Sequence, residues 1–393
     1  MGARIEPGLL GRLSEGRVLR ALRAHGPLSR AEVARSSGLS APAVSRAAAS
    51  LLRAGIIEEG PEAQATGGRP ATRLRLARES AQVLGVVVDA GQCAVASAGL
   101  DGVLHDDVTP FATPSSYPEL IRELAGHARS LMARHGISTL GVGVSLPGLI
   151  DYRAQRCLLS PNFPITNGHS PTADLARALG VECLMFQESH ALCLAEQHAG
   201  QARGMGDFAM LDVQTGVGLG VVSGGRLLTG HSGLAGEVGH ITVDPEGRRC
   251  GCGSRGCLET LASDASLAWR VSRKLGRKVD IDAVLRLARS GAKLASELDS
   301  VCHYLAIGVA AVINLFNPAR LFIHGRMFDC DDTMFERMKL LARKRALGPS
   351  FADCVILRAT ASKIQGAVAG IIQHVTGAAT TDLGAHELCY PEA

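Results

Sequence analysis

Val83-Leu-Gly-Val-Val-Val-Asp-Ala-Gly91 and Phe208-Ala-Met-Leu-Asp-Val-Gln-Thr-Gly216 open alike: an apolar run, then an aspartate, then a turn carrying glycine. A near-continuous apolar run suits a strand buried on both faces. After the first stretch a second strand is expected from Cys93 to Ala98, and Gly102-Val103-Leu104 opens a third. After the second stretch the same order recurs, with Gly218 to Val222 and then Gly225-Arg226-Leu227-Leu228. Asp89 and Asp212 stand 123 residues apart. This weak internal repeat predicts two related α/β halves facing one another, with a ligand cleft between them. Helical patterns at 117–135, 192–200 and 294–316 predict the helices that cover the sheets.

The chain N-terminal to this repeat is different in kind. Residues 1–80 hold 13 Arg, no Lys and 7 Asp/Glu, a net +6, whereas the remaining 313 residues carry a net −2. All the excess positive charge therefore lies in the first fifth of the chain, and arginine without lysine favours phosphate or base recognition. Val18, Leu19 and Leu22 recur at helical spacing in a segment from Ser14 to Ala24, which stops at His25-Gly26-Pro27. Ser29 and Glu32 form a capping-box pattern for a second helix, with Val33 and Ala34 facing inward. Gly38-Leu39-Ser40 makes a tight turn, Ser40 is placed to cap a third helix, and Pro42 fits that helix's first turn. Val44, Leu51 and Leu52 form its expected apolar stripe.

Two helices joined by a short glycine turn form a helix-turn-helix. On the third helix Pro42, Ala43, Ser45 and Arg46 lie off the apolar stripe, near the end that enters a major groove. Arg46 suits a bidentate contact to guanine, and Ser45 a phosphate or base edge. Ile56-Ile57 and the alternating Leu74 and Leu76 read as wing strands. Between them Gly67-Gly68-Arg69-Pro70 offers Arg69 to a minor groove. A three-helix dimerisation module with solvated arginines has the same pattern; charge, turn and wing together favour double-stranded DNA.

Hydrophobic residues make up 46% of the 393, and mean hydropathy is +0.15. That suffices for sizeable cores, excludes a largely disordered chain and predicts two or three domains. The longest apolar run, 306–316, is interrupted by Asn314 and falls short of the roughly 20 residues of a membrane span. Met1 to Glu15 contains no apolar core of a signal peptide. A cytoplasmic protein with no membrane partner is expected. The 11 cysteines are then reduced thiols rather than a disulfide framework. Cys157, Cys183, Cys193, Cys302, Cys330, Cys354 and Cys389 fit no metal spacing and read as buried small hydrophobes.

His240, Cys250, Cys252 and Cys257 differ from these. One His and three Cys make a complete tetrahedral set of soft ligands, the closed environment of a structural zinc. Gly251, Gly253 and Gly256 allow the backbone to fold tightly enough for the sulfurs to converge. The alternative is a set of buried thiols.

Gly236-Glu-Val-Gly-His240, followed by Cys250-Gly-Cys-Gly-Ser-Arg-Gly-Cys257-Leu-Glu259, resembles the ROK family, which groups bacterial repressors, unassigned reading frames and sugar kinases. Val144 to Asp151, Pro161 to Pro164 and Gln187 to Glu196 also match, so the resemblance spans about residues 83–375. Ile313 to Pro318 and Gly239 to Pro245 look particularly like the N-acetylglucosamine and glucose-responsive repressors. The resemblance implies a duplicated actin-like (ribonuclease H-like, sugar kinase type) α/β body behind the winged helix-turn-helix. The implied domains are a winged helix at 1–80, a first α/β subdomain at 81–187 joined by the C-terminal helix 364–393, and a second at 188–363 with the zinc motif. It places zinc ligands at His240, Cys250, Cys252 and Cys257, and sugar contacts at Asn162, Glu188, Glu237, His240 and Glu259. Carboxylates and an amide can bridge sugar hydroxyls, and His240 can give one nitrogen to zinc and the other to a ligand.

The kinase parts of that pattern are altered. Asp89-Ala-Gly-Gln-Cys93 stands where the kinases resemble Asp-x-Gly-Gly-Thr, and Gln214-Thr-Gly216 where they resemble Gly-Thr-Gly. Gly325-Arg326 replaces a Gly-Gly pair near the adenine, and Gln187-Glu188 replaces Asn-Asp, lengthening the catalytic carboxylate by a methylene. These changes predict a sensor without phosphoryl transfer, and no catalytic residue is assigned. The expected protein is a homodimeric or homotetrameric regulator of carbohydrate genes that binds a palindromic operator and responds to a sugar or sugar phosphate. The alternatives are an ATP-dependent sugar kinase with a DNA-binding arm, and a regulator controlled by docking of a sugar-transport protein.

Overall fold

The structure, a computed structural model, describes residues 7–60, 72–105 and 108–378. Its backbone divides into two compact units. One takes in the chain up to Leu146, Ser170–Phe186 and the chain from Ile364 onward; the other takes in Pro147–His169 and Gln187–Lys363.

The first unit opens with helix α1 (Pro7–His25), strand β1 (Leu28–Ser29), helices α2 (Arg30–Ser37) and α3 (Ala41–Arg53), and strands β2 (Ile57–Gly60) and β3 (Arg73–Leu76). The strands form an antiparallel sheet in the order β1-β3-β2. Strand β1, two residues long, carries no sequence signal of its own. The capping box forms as expected: Glu32 N–H donates to Ser29 Oγ at 3.3 Å, and Ser29 N–H donates to Glu32 Oε2 at 2.8 Å. Ser40 holds the N-cap position of α3, but its side chain accepts no capping bond. Helix α3 buries Val44, Ala47, Ala48 and Leu51, the i, i+3, i+4, i+7 stripe of an amphipathic helix. Leu52, expected in that stripe, is half-buried and packs against the edge of the same cluster.

The wing runs directly into the larger sheet. Ala77 N–H donates to Ile56 O, and Leu100 N–H to Ala77 O. Glu58 on β2 accepts bonds from Glu79 N–H, Ser80 N–H and Ser80 Oγ at 3.0–3.2 Å, and pairs with Arg75 at 2.8 Å. Burial raises the Glu58 carboxyl, but these donors outweigh it and hold it below the usual range. Beyond the junction lie β4 (Ala81–Val87), β5 (Gln92–Gly99), β6 (Thr109–Ala112), β7 (Ser138–Leu146) and β10 (Cys183–Gln187), in the order β10-β7-β4-β5-β6. Helices α4 (Tyr117–His135), α5 (Pro171–Leu179) and α13 (Lys363–Ala378) accompany this sheet. One apolar cluster runs from Val18, Val44 and Leu51 through Leu74 and Leu76 to Val83, Ala98, Val368 and Ile371. Each fully buried Val or Leu contributes about 1.5–3 kcal/mol.

The second unit contains a hairpin of β8 (Leu149–Asp151) and β9 (Arg156–Leu159), helix α6 (Glu188–His198), and a second five-stranded sheet. Its strands are β11 (Phe208–Asp212), β12 (Gly218–Ser223), β13 (Arg226–Leu227), β14 (Arg320–His324) and β15 (Val355–Arg358), in the order β13-β12-β11-β14-β15. The repeat read in the sequence is thus a repeat of topology. Strands β4 and β11 each pair antiparallel with the next strand and parallel with the fourth strand of their own sheet. Helices α7 (Glu259–Ala262), α8 (Asp264–Leu275), α9 (Ile281–Arg289), α10 (Ala295–Phe316), α11 (Met334–Arg343) and α12 (Gly348–Asp353) complete the unit. Helix α10 is long and apolar enough to cross a membrane, yet Val301, Leu305, Val309 and Ile313 are buried in this unit's core.

The third strand of the first half departs from expectation. Gly102 turns with φ of +80° and Val103 N–H donates to Asp101 Oδ1 at 3.0 Å, so this segment is a turn. Leu104 makes one isolated bridge to Ala98, and the strand proper starts at Thr109. Helix α6 begins at Glu188, four residues before the expected 192. Cys157, Cys183, Cys193, Cys302 and Cys354 are buried and Cys330 is half-buried, while Cys389 lies outside the described residues.

Replacing Glu58 with Ala removes an acceptor shared by three donors at the junction. The expected loss is about 1–3 kcal/mol of unfolding free energy, read from urea denaturation; a loss below about 0.5 kcal/mol would make the junction hydrogen bonds dispensable.

Candidate functional site

The apolar stripe that seats α3 leaves its other face outward. Pro42, Ser45 and Arg46 are exposed and Ala43 is half-buried, so all four expected contact residues lie at the outward start of the helix. Arg46 has no carboxylate partner among the described residues. Other arginines of the module are already engaged: Arg30 with Glu59 at 2.6 Å, Arg75 with Glu58, and Arg73 with Glu32 at 3.8 Å. Part of the +6 therefore stabilises the module internally. Arg69 lies outside the described residues.

In the second unit, the segment from Asp244 to Cys257 folds back on itself through bonds from Cys250 N–H to Ser254 O and from Gly256 N–H to Arg248 O. Gly256, at φ of +62°, lies so close to the Asp244 carbonyl that no side chain fits there. This fold brings one ligand atom from each of His240, Cys250, Cys252 and Cys257 within 4.8 Å of one another. Cys250 Sγ lies 3.6 Å from His240 Nδ1, and Cys252 Sγ lies 3.8 Å from Cys257 Sγ. The four could hold a metal ion. The other ring nitrogen, His240 Nε2, lies 3.7 Å from Glu237 Oε2.

Asn162, Glu237, His240 and Glu259 are brought together around this loop. Asn162 Nδ2 is 3.5 Å from Glu259 Oε2, and both lie against the backbone of Gly216. Glu259 Oε1 accepts from Cys250 Sγ at 2.9 Å and stands 3.8 Å from His240 Nδ1. Glu237 Oε1 accepts from Gln187 Nε2 at 2.8 Å. Burial raises the Glu237 carboxyl, and the nearby Glu259 charge adds to it, against the Gln187 bond and the His240 ring. Such a set of oxygens and one amide can bridge hydroxyl groups.

Sequence reading missed the residues that support this cluster. Gln187 N–H donates to the Tyr152 hydroxyl at 2.9 Å, and that hydroxyl lies 2.7 Å from His190 Nδ1. Burial brings His190 down to about 4, so the ring is neutral at pH 7. Glu188 turns instead to Lys363, with Nζ 2.5 Å from its Oε1. Lys363 Nζ is also 3.1 Å from Asp212 Oδ2, and Asp212 Oδ1 is 2.9 Å from His324 Nδ1. No local motif marks Lys363 or His324, because fold topology alone joins them to Glu188 and Asp212.

Two of the positions read as departures from the kinase pattern, Cys93 and Arg326, are engaged. Cys93 is buried with its Sγ 3.4 Å from Thr113 Oγ1, and Thr113 donates to Asp89 O at 2.6 Å. Arg326 reaches Asp282 at 2.5 Å, while its N–H donates to Asp264 Oδ2 at 2.8 Å. Met327 N–H donates to the other oxygen of Asp264. Burial pushes Asp264 up to about 6 despite those two bonds.

A model of the ROK family matches residues 85–377, and a model of the MarR family matches residues 8–69. The chain belongs to the ROK family, and it combines a winged helix-turn-helix of MarR type with the family's actin-like sugar-kinase fold. It is similar to the DNA-binding transcriptional dual regulator NagC of Escherichia coli K12, 29% identical over 358 residues and covering 86% of each chain. It is 34% identical over 210 residues to the glucokinase of Thermotoga maritima, covering 49% of this chain and 66% of that one. The crystal structure of a ROK family transcriptional regulator, a homologue of the E. coli Mlc protein, superposes with a TM-score of 0.79 at 23% identity. That match covers 94% of this chain and 98% of the other.

Burial alone raises the Asp212 carboxyl, but Lys363 and His324 outweigh it and bring it down to about 2 from 3.8. A folded-state value below the unfolded one stabilises above the unfolded value and is lost as pH falls toward the folded value. Asp212→Asn is therefore expected to be less stable at pH 7, with a smaller further loss than wild type between 3.8 and about 2. An unchanged acid dependence in urea titrations would assign that loss to another carboxylate.

Proposed function

We propose that this protein is a sugar-responsive transcriptional repressor of carbohydrate uptake or catabolism genes, working in the cytoplasm as a homodimer or homotetramer. The observation that carries the reading is the single apolar core joining the helix-turn-helix to the sheet of the first α/β subdomain. A DNA-binding module tethered by a loose linker has no means of sensing a body; one sharing its core does. The domains are then a winged helix at 1–80, a first α/β subdomain at 81–187 with the C-terminal helix from 364, and a second at 188–363. Arg46 reads a guanine, Ser45 a phosphate or base edge, with Pro42 and Ala43 beside them and Arg69 in the minor groove. Two such modules on a two-fold axis call for a palindromic operator. A sugar or sugar phosphate held by Asn162, Glu188, Glu237, His240 and Glu259 alters operator affinity, and operator alters sugar affinity by the same factor.

The metal proposed for His240, Cys250, Cys252 and Cys257 is zinc. Zn–S bonds of about 2.3 Å in a tetrahedron place sulfurs about 3.8 Å apart, and Cys252 and Cys257 stand at 3.8 Å. Such an ion is structural: it supplies no open coordination position and fixes the loop that carries His240. Nδ1 of His240 faces the thiols and leaves Nε2 for Glu237 and a ligand.

Binding of the purified protein to its own promoter DNA is expected by fluorescence anisotropy, with Arg46→Ala weakening it by about 1–3 kcal/mol, roughly 5- to 150-fold. A neutral sugar or its phosphate should change that affinity. Indifference to promoter DNA with and without sugars would sink the proposal, and ATP turnover with a hexose would instead mark a kinase. Metal analysis should give about one zinc per chain, and Cys257→Ser should lose it; a folded, DNA-binding sample without metal would remove the assignment. A regulator that binds its operator and ignores every sugar points to control by a docked transport protein.

A further inference from the structure

Lys363, the first residue of α13, is 6% exposed. An ammonium is costly to bury unless carboxylates surround it, and here two do. Glu188 comes from the start of α6 and Asp212 from the end of β11, and their oxygens stand 2.5 Å and 3.1 Å from Nζ. The remaining oxygen of Asp212 faces His324 at 2.9 Å and lies 3.4 Å from the N–H of Gln214. Two carboxylates from separate elements, converging on one buried point, make a cation position. Glu188 stands where the family resemblance places the catalytic carboxylate, and Asp212 lies two residues before Gln214, where the second phosphate loop is expected. Phosphoryl transfer puts a divalent ion, bound to the nucleotide phosphates, beside such carboxylates.

We infer that Lys363 is a built-in cation that takes the place of the divalent ion, so that the centre between Glu188 and Asp212 holds no metal–nucleotide complex. A divalent ion entering there meets an ammonium that is covalently part of the site and cannot diffuse away. Glu188 Oε1 is already taken up by the Lys363 ammonium at 2.5 Å. One of the two carboxylate charges is offset by the chain's own ammonium, without Mg²⁺. This deepens the non-catalytic reading of the body, on which it rests, and names the residue responsible. Its test is metal binding, so it fails or stands independently of operator and sugar.

The experiment titrates full-length protein, as purified, with Mn²⁺ and reads free Mn²⁺ by electron paramagnetic resonance. Mn²⁺ prefers oxygen donors, which separates this centre from the thiolate loop. Wild type is expected to show no binding that Asp212→Asn removes. Lys363→Met keeps the stem and drops the charge, and it is expected to gain about one Mn²⁺ per chain, with affinity at least about tenfold above wild type. Lys363→Met/Asp212→Asn is expected to lose that gain. Folded Lys363→Met, judged by circular dichroism and thermal midpoint, that takes up no Mn²⁺ overturns the inference. So does Mn²⁺ binding by wild type that Asp212→Asn abolishes. Should Lys363→Met fail to fold, the thermal midpoint of wild type with Mg²⁺ and a non-hydrolysable ATP analogue decides. No rise upholds the inference, and a rise lost in Asp212→Asn overturns it.

Discussion

The apolar core shared by the winged helix and the first large sheet is the constraint on which the rest of this chain depends. Leu74 and Leu76 point from the wing into the same cluster as Val83, Ala98 and Ile371, so the wing cannot move as a free tether. Glu58 reinforces the join by accepting the backbone donors that lead into β4. A displacement of that sheet costs packing unless the helix-turn-helix follows, because well-packed interiors deform little. Coupling of the first α/β sheet to the DNA-binding module thus follows from shared side chains.

A second economy governs the other unit. The tight loop that gathers three thiols around His240 also positions Glu259 beside Cys250 and Asn162 beside Glu259. One covalent segment, 240–259, therefore carries the four groups that could hold a metal together with Glu259. A change at Cys250 therefore also removes a hydrogen-bond partner of Glu259, as in metal sites whose outer partners orient the ligands.

The sequence made most of this fold legible because its elements are local. Capping at Ser29, the apolar stripe of α3 and the apolar strands at 83–88 and 208–211 each need only a few neighbouring residues to be read. The misread segment, Gly102 to Leu104, failed for a local reason as well: the Asp101 carboxylate accepts from the Val103 N–H and makes a turn where apolar residues suggested a strand. Strand β1 was invisible because two residues carry no periodicity. The site divided along the same line. His240 and the three cysteines are close in sequence and announce themselves. Glu188, Asp212, His324 and Lys363 span 175 residues and meet only through the sheet topology, so no window of sequence contains the ion network.

Helix α13 lies against β4 and β7 so closely that Gly85 and Gly143 meet its backbone, with the Ala367 carbonyl occupying the space of a side chain at Gly143. Its Val368, Ile371 and Ile372 complete the core begun by Val44 and Leu74. Val44 and Val368 are 324 residues apart in the chain. Synthesis delivers the reading head first and the helix that finishes its support last, a long-range closure of the kind that slows folding. A nascent chain halted before α13 presents an open apolar face where Val83 and Ala98 should be covered. A chain lacking α13 would therefore leave part of the core that supports the winged helix without its covering side chains.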